Sequence, residues 1–178
     1  IVKEDGVAHP ILLGNKEKIA ALIKEHNLRL EDVTVINPRE EPEILANFAE
    51  MFYQKRKRRG FTLYESKKIM QERNYFGAMM VETGMADVMI SGLSRKYSDT
   101  IRPALQIIGK DENVKKIAGM YIMLTKRGPL FLADATVNFN PRADELADIT
   151  QLVAKEVRTF GITPRIAMLS YSNFGSSD

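Results

Sequence analysis

Apolar and polar positions along the chain fall into short blocks whose period switches between strand-like and helix-like. Ile11-Leu12-Leu13 is an apolar run stopped by Gly14-Asn15, and Ile19, Leu22 and Ile23 then share one face of a helix expected over residues 16–27. Strand, turn and helix in that order form half of a βαβ unit, and Val33-Thr34-Val35-Ile36, closed by Asn37-Pro38, reads as the next strand. A helix starting at Pro42 carries Ile44, Leu45, Phe48, Met51 and Phe52 as its buried stripe. Proline suits a first turn because its missing N–H would be unpaired there anyway. Lys55-Arg56-Lys57-Arg58-Arg59 and Gly60 end this helix, with cations at the negative pole and glycine past the last turn. Thr62 and Glu65 have capping-box spacing and open a helix to about residue 72. Asn74 is expected to cap a further helix over 75–82, stopped by Gly84.

Asp87-Val88-Met89-Ile90 reads as a strand ending at Ser91-Gly92, followed by a helix capped by Ser98 or Asp99 with Pro103 inside its first turn. Beyond Gly109 a hairpin is expected: strands over 117–124 and 130–134 around a turn at 126–129. Asn140-Pro141 opens a long helix through residue 158 with Leu146, Ile149, Leu152, Val153 and Val157 inward, and residues 165–169 form a last strand. Strands alternating with helices argue for an α/β fold with a largely parallel sheet, the hairpin adding a mixed portion. The polar stretch 110–116 is the expected lobe boundary.

Composition narrows the chemistry. The 178 residues contain no cysteine, which excludes a disulfide framework, a thiolate zinc site and a cysteine nucleophile within this stretch. Lys+Arg 26 against Asp+Glu 23 gives a net charge of +3, too balanced to argue for nucleic acid. The run 55–59 lacks interleaved aromatics that would stack bases, so it reads as a solvated helix end, with one arginine free to turn toward a ligand. No apolar run approaches the roughly 20 residues of a membrane helix, and residues 1–5 do not read as a signal peptide, so a cytoplasmic protein is expected. His9 and His26 stand alone and are not expected to bind metal; Met79, Met80, Met85 and Met89 read as core filler.

In open α/β sheets ligands gather where a strand feeds a helix N-terminus. Ser91-Gly92 is one such place, with hydroxyls from Ser91, Ser94, Ser98 and Thr100 and charge from Arg95, Lys96 and Arg102. A guanidinium at Arg102 suits bidentate grip of a phosphoryl group or carboxylate. The run 170–177, with Ser170, Ser172, Gly175 and Ser176, is the second. On spacing alone each also reads as an ordinary polar loop, since neither carries a Walker or dinucleotide fingerprint.

Taken together, Tyr75-Phe76-Gly77-Ala78-Met79-Met80-Val81, Ala86-Asp87-Val88-Met89-Ile90-Ser91-Gly92 and Ser98-Asp99-Thr100-Ile101-Arg102-Pro103 resemble the phosphotransacetylase family. Ala133-Asp134-Ala135-Thr136-Val137-Asn138 and Ala167-Met168-Leu169-Ser170-Tyr171-Ser172 continue the match in order across essentially the whole chain. Ser172-Asn173-Phe174-Gly175-Ser176-Ser177-Asp178 is most similar to the phosphotransacetylase-like C-terminal domain of bacterial NADP-dependent malic enzymes.

The resemblance implies a three-layer α/β/α fold of the isopropylmalate dehydrogenase type, in two lobes (residues 1–113 and 114–178) with the second incomplete. It implies acetyl transfer between coenzyme A and phosphate by attack of the CoA thiolate on acetyl phosphate, without a metal. Acetyl-CoA, acetyl phosphate or phosphate would be the ligands and a homo-oligomer, usually a dimer, the assembly. It also implies that Arg56 and Arg102 bind substrate. The form Ser91-Gly92-Leu93-Ser94-Arg95-Lys96-Tyr97 departs from simple members by losing a histidine and adding two cations and a ring. The resemblance puts the family's catalytic serine, arginine and aspartate beyond residue 178, and its opening strand outside the chain, so no catalytic residue is assigned here. The malic-enzyme relatives imply a regulatory acetyl-CoA module joined to N-terminal malic domains that use NADP and Mg or Mn; a working phosphate acetyltransferase is the alternative.

Overall fold

Asn15 begins the first helix by accepting from the Lys18 N–H at 2.8 Å, and this cap sets the geometry of a βαβ unit. Strand β1 (Ile11–Leu13) leads into α1 (Lys16–Glu25) and returns in β2 (Thr34–Ile36), parallel to β1 with Leu12 opposite Val35. The computed structural model describes residues 2–28 and 33–169, and the chain divides into two compact units, Ile1–Gly109 and Lys110–Asp178.

In the first unit, α2 (Pro42–Arg56) opens with proline at N1 and passes through a 3-10 turn, Lys57–Arg59, to Gly60 at φ +90°. Only a residue without a Cβ adopts that left-handed conformation freely. α3 (Leu63–Ile69) carries the complete Thr62–Glu65 capping box. α4 (Arg73–Glu82) and α5 (Tyr97–Ile107) follow. α2 packs on α3, and α4 on α5. Phe48, Phe52, Met70, Phe76 and Met79 are fully enclosed between these helices, with the Phe48 and Phe76 rings 5.0 Å apart. Each such side chain contributes about 1.5–3 kcal/mol of burial. Met85 differs from the expected core role: it follows the α4 terminus and lies exposed.

Residues 87–90 carry no strand ladder among the described residues. Strand pairing requires a hydrogen-bonded neighbour, and Val88 and Ile90 remain 71% and 94% exposed. Met89 turns inward, its sulfur 3.0 Å from where a Cβ on Gly77 would stand, so glycine in α4 lets this segment approach closely. Residues 165–169 likewise have no ladder among the described residues, and Leu169 is exposed.

The second unit contains the hairpin β3 (Met120–Thr125) and β4 (Gly128–Ala133), antiparallel with Thr125 opposite Gly128. Its turn is Lys126-Arg127, tighter than expected, and Arg127 N–H donates to Thr125 Oγ1 at 3.1 Å. α6 (Ala143–Thr159) starts later than Asn140-Pro141 predicts, because Asn140 takes a positive φ of 48° and Arg142 is extended. Ile149, Ala154 and Val157 are its buried positions. Asp134 organises the loop after β4: its carboxylate accepts from the Gly119, Val137 and Asn138 N–H groups at 3.1, 3.2 and 2.9 Å, and from the Asn138 side chain. Parallel and antiparallel strands alternating with helices make this an α/β protein. Among the described residues no helix is long and apolar enough to cross a membrane.

Candidate functional site

Pro103 determines how the loop after residue 90 is held. Inside α5 its ring nitrogen has no hydrogen to give, so the carbonyl of Asp99 one turn earlier loses its helical donor. Asn74 supplies the replacement: Nδ2 donates to that carbonyl at 3.0 Å. The same buried amide accepts from Ser91 Oγ through Oδ1 at 2.8 Å. Asn74 therefore fastens the Ser91 loop to the first turn of α5. It is not the helix cap that the sequence suggests; Glu72 occupies the N-cap position of α4, and Asn74 is spent on the tertiary link. Ser98 and Asp99 are likewise not caps, since α5 already begins at Tyr97 after Lys96.

Beside this link is a cavity of about 230 Å³, into which Arg102, Tyr75 and Asn74 project together with Arg95, Glu72 and Asp99. Arg102 is exposed on α5 and makes no hydrogen bond or ion pair with any described residue. The Tyr75 hydroxyl donates to Gln106 Oε1 at 2.7 Å, and its ring stacks edge-on against Phe52. Burial holds the phenol above its ordinary range, against the pull of Arg102 and Arg56, so Tyr75 remains a protonated donor. An unpaired guanidinium beside a neutral phenol and a fixed amide is chemically suited to an oxyanion.

The expected site residues are distributed unevenly around this cavity. Ser91 touches it indirectly through Asn74, and Gly92 sits at φ +138° in the adjoining loop. Ser98 is exposed on the first turn of α5. Thr100 Oγ1 is buried and has no hydrogen-bond partner among the described residues. Arg56 is not among the residues lining this cavity: Nε donates to the Gln106 carbonyl at 2.8 Å and Nη2 to that of Leu105 at 3.0 Å, so it caps the C-terminal end of α5 one turn beyond Arg102. Lys55 joins it, donating to the Ile107 carbonyl at 2.9 Å and pairing with Glu82. Ser170, Ser172, Gly175 and Ser176 lie outside the described residues. Glu72, Asn74, Tyr75, Asp99 and Pro103 are the lining residues that sequence reasoning missed. Pro103 was the available signal, since a helical proline leaves a carbonyl that some donor must satisfy.

No group of three or more His, Cys, Asp or Glu able to hold a metal occurs among the described residues. A larger groove of about 1060 Å³ runs between residues 7–13 and the 85–95 segment, and Asn74 and Arg95 border both spaces.

Comparison with known proteins matches residues 1–178 to the family described as phosphate acetyl/butaryl transferase. A phosphate acetyltransferase of Bacillus subtilis is 39% identical over 96% of this chain and 52% of its own length. The NADP-dependent malic enzyme of Escherichia coli is 37% identical over 97% of this chain and 23% of its own. A phosphotransacetylase structure from Streptococcus pyogenes superposes with a TM-score of 0.85 at 36% identity, over 99% of this chain and 54% of that one. The chain thus spans about half the length of the acetyltransferase relative and about a quarter of the malic enzyme. With a family match along its full length and a backbone that superposes on a solved phosphotransacetylase, this chain belongs to the phosphate acetyl/butaryl transferase family.

Proposed function

We propose that this chain is the phosphotransacetylase-like part of a cytoplasmic NADP-dependent malic enzyme, where it binds acetyl-CoA as a regulator and joins copies of the protein into a dimer. The observation that carries the reading is Arg102, a guanidinium with no partner among the described residues, facing a cavity shared with Tyr75 and Asn74. Coenzyme A presents phosphates, and an unpaired guanidinium at the cavity suits them without a metal. In this reading residues 1–113 and 114–178 belong to the family's two lobes, and Ser91, Gly92, Ser98, Thr100 and the run from Ser170 to Ser176 border the ligand. NADP and a divalent metal would serve the malic reaction in separate N-terminal domains of the same polypeptide.

The second reading is a working phosphate acetyltransferase, favoured by the names of the Bacillus and Streptococcus relatives and by a cavity small enough to grip one phosphoryl group. There the CoA thiolate attacks the carbonyl carbon of acetyl phosphate, the C–O bond to phosphate breaks, and Arg102 neutralises the departing phosphate. One experiment separates the two. The full-length protein is given acetyl phosphate and CoA, and thioester formation is followed beside its malic activity. Malic activity that shifts with acetyl-CoA, with no thioester formed, supports regulation. Turnover that collapses in Arg102→Ala supports the acetyltransferase.

A further inference from the structure

The cavity beside Arg102 has a second guanidinium that the family reading leaves without a task. Arg95 lines the same space, carried on the loop that Asn74 fastens through Ser91. Its main chain is set by a turn in which Arg95 N–H donates to the Gly92 carbonyl at 3.0 Å. Among the described residues its side chain has one partner, Glu72, reached by a single contact from Nη1 to Oε2 at 3.3 Å. The two side chains are 35% and 53% exposed. An ion pair this open is held weakly, because water screens it and two long side chains must be ordered to make it. A phosphoryl dianion offers the same guanidinium two acceptor oxygens in the fork geometry that Arg prefers.

We propose that Arg95 is a ligand-gripping residue, the second cation on a phosphoryl dianion bound at Arg102, and that Glu72 is a latch which holds Arg95 while the cavity is empty. The proposal rests on the anion reading of the Arg102 cavity and adds a specificity rule to it. With Arg95 on Glu72, two cations in the lining face the two carboxylates Glu72 and Asp99. Once Arg95 exchanges Glu72 for the ligand, two guanidiniums meet one phosphoryl group, which selects a dianion such as inorganic phosphate, acetyl phosphate or a terminal phosphate ester over a monoanionic carboxylate. Glu72 makes no side-chain capping bond to α4, so its release costs the helix little.

The test is a calorimetric titration of the full-length protein with inorganic phosphate, and with acetate as the monoanion. Measurements cover wild type, Arg95→Ala, Arg95→Lys, Glu72→Gln, Arg102→Ala and the double variant Glu72→Gln/Arg95→Ala, with thermal melts to establish folding. Charge-assisted hydrogen bonds of this kind correspond to roughly a 10–100-fold loss of phosphate affinity in Arg95→Ala. Arg95→Lys should retain part of the affinity, because the charge stays while the fork is lost. Glu72→Gln should tighten phosphate binding several-fold, and that gain should vanish in the double variant. Wild-type phosphate affinity in a folded Arg95→Ala, or a Glu72→Gln gain that survives without Arg95, overturns the proposal. If Arg102→Ala weakens binding and Arg95→Ala does not, only this inference fails. If neither does, the anion reading of the cavity fails with it.

Discussion

Thr100 holds a hydroxyl in the interior of the first unit without a hydrogen-bond partner among the described residues. Burying such a group costs about 1–3 kcal/mol, so the isosteric Thr100→Val should raise stability by roughly 1 kcal/mol. That is a gain of about 2–4 °C in Tm for a chain of this size. A fall in Tm would mean that the hydroxyl is satisfied after all. Asp134 shows the opposite economy. Burial pushes its carboxyl up, but the hydrogen bonds from Asn138, Gly119 and Val137 outweigh burial and hold it below the usual aspartate range. A carboxylate depressed on folding adds stability that is present above its unfolded value of about 3.9 and is lost as pH falls through the folded value. Thermal melts of wild type should therefore lose Tm below about pH 4. Asp134→Asn should melt earlier at neutral pH and lose less on acidification. Equal acid sensitivity in the two proteins would contradict this account. Neither role was visible in the sequence, because both depend on which backbone groups are brought around one side chain by chain folding.

At the scale of elements, α5 is fastened at both ends by residues distant in sequence. Asn74 satisfies the carbonyl that Pro103 leaves open, and Lys55 and Arg56 take the last carbonyls of the helix. Asn74→Ala should cost about 1–3 kcal/mol by leaving the Asp99 carbonyl unpaired, and hydrogen exchange should accelerate across residues 91–102 before the rest of the unit. Arg56→Ala should lower the urea midpoint as well as any ligand affinity, whereas a residue acting only on ligand would change affinity alone. The contrast with legible features is physical. The Thr62–Glu65 box and the Asn15 cap were readable because a cap closes within four neighbouring residues. The run 87–90 has strand composition, yet a strand exists only where a ladder neighbour is present, and no window of sequence contains that neighbour. The Asn74 link spans 25 residues to Asp99 and was hidden for the same reason.

For the whole molecule, the α/β character and the family were legible early, because several motifs in fixed order constrain each other far more than any one does. The arrangement of the site was not. Arg56 and Arg102 are both arginines on helices, and only the structure shows one engaged with helix-end carbonyls while the other faces a cavity among the described residues. The central claim is that Arg102 holds a phosphate-bearing ligand there. Its most direct test is calorimetric titration of acetyl-CoA into the full-length protein, comparing wild type with Arg102→Ala and with Lys57→Ala, whose ammonium donates to Gln54 and is not in the cavity lining. Loss of one charge-assisted contact should weaken acetyl-CoA binding roughly 10-fold or more in Arg102→Ala and leave Lys57→Ala at the wild-type affinity. A folded Arg102→Ala protein that binds acetyl-CoA as tightly as wild type would contradict the account.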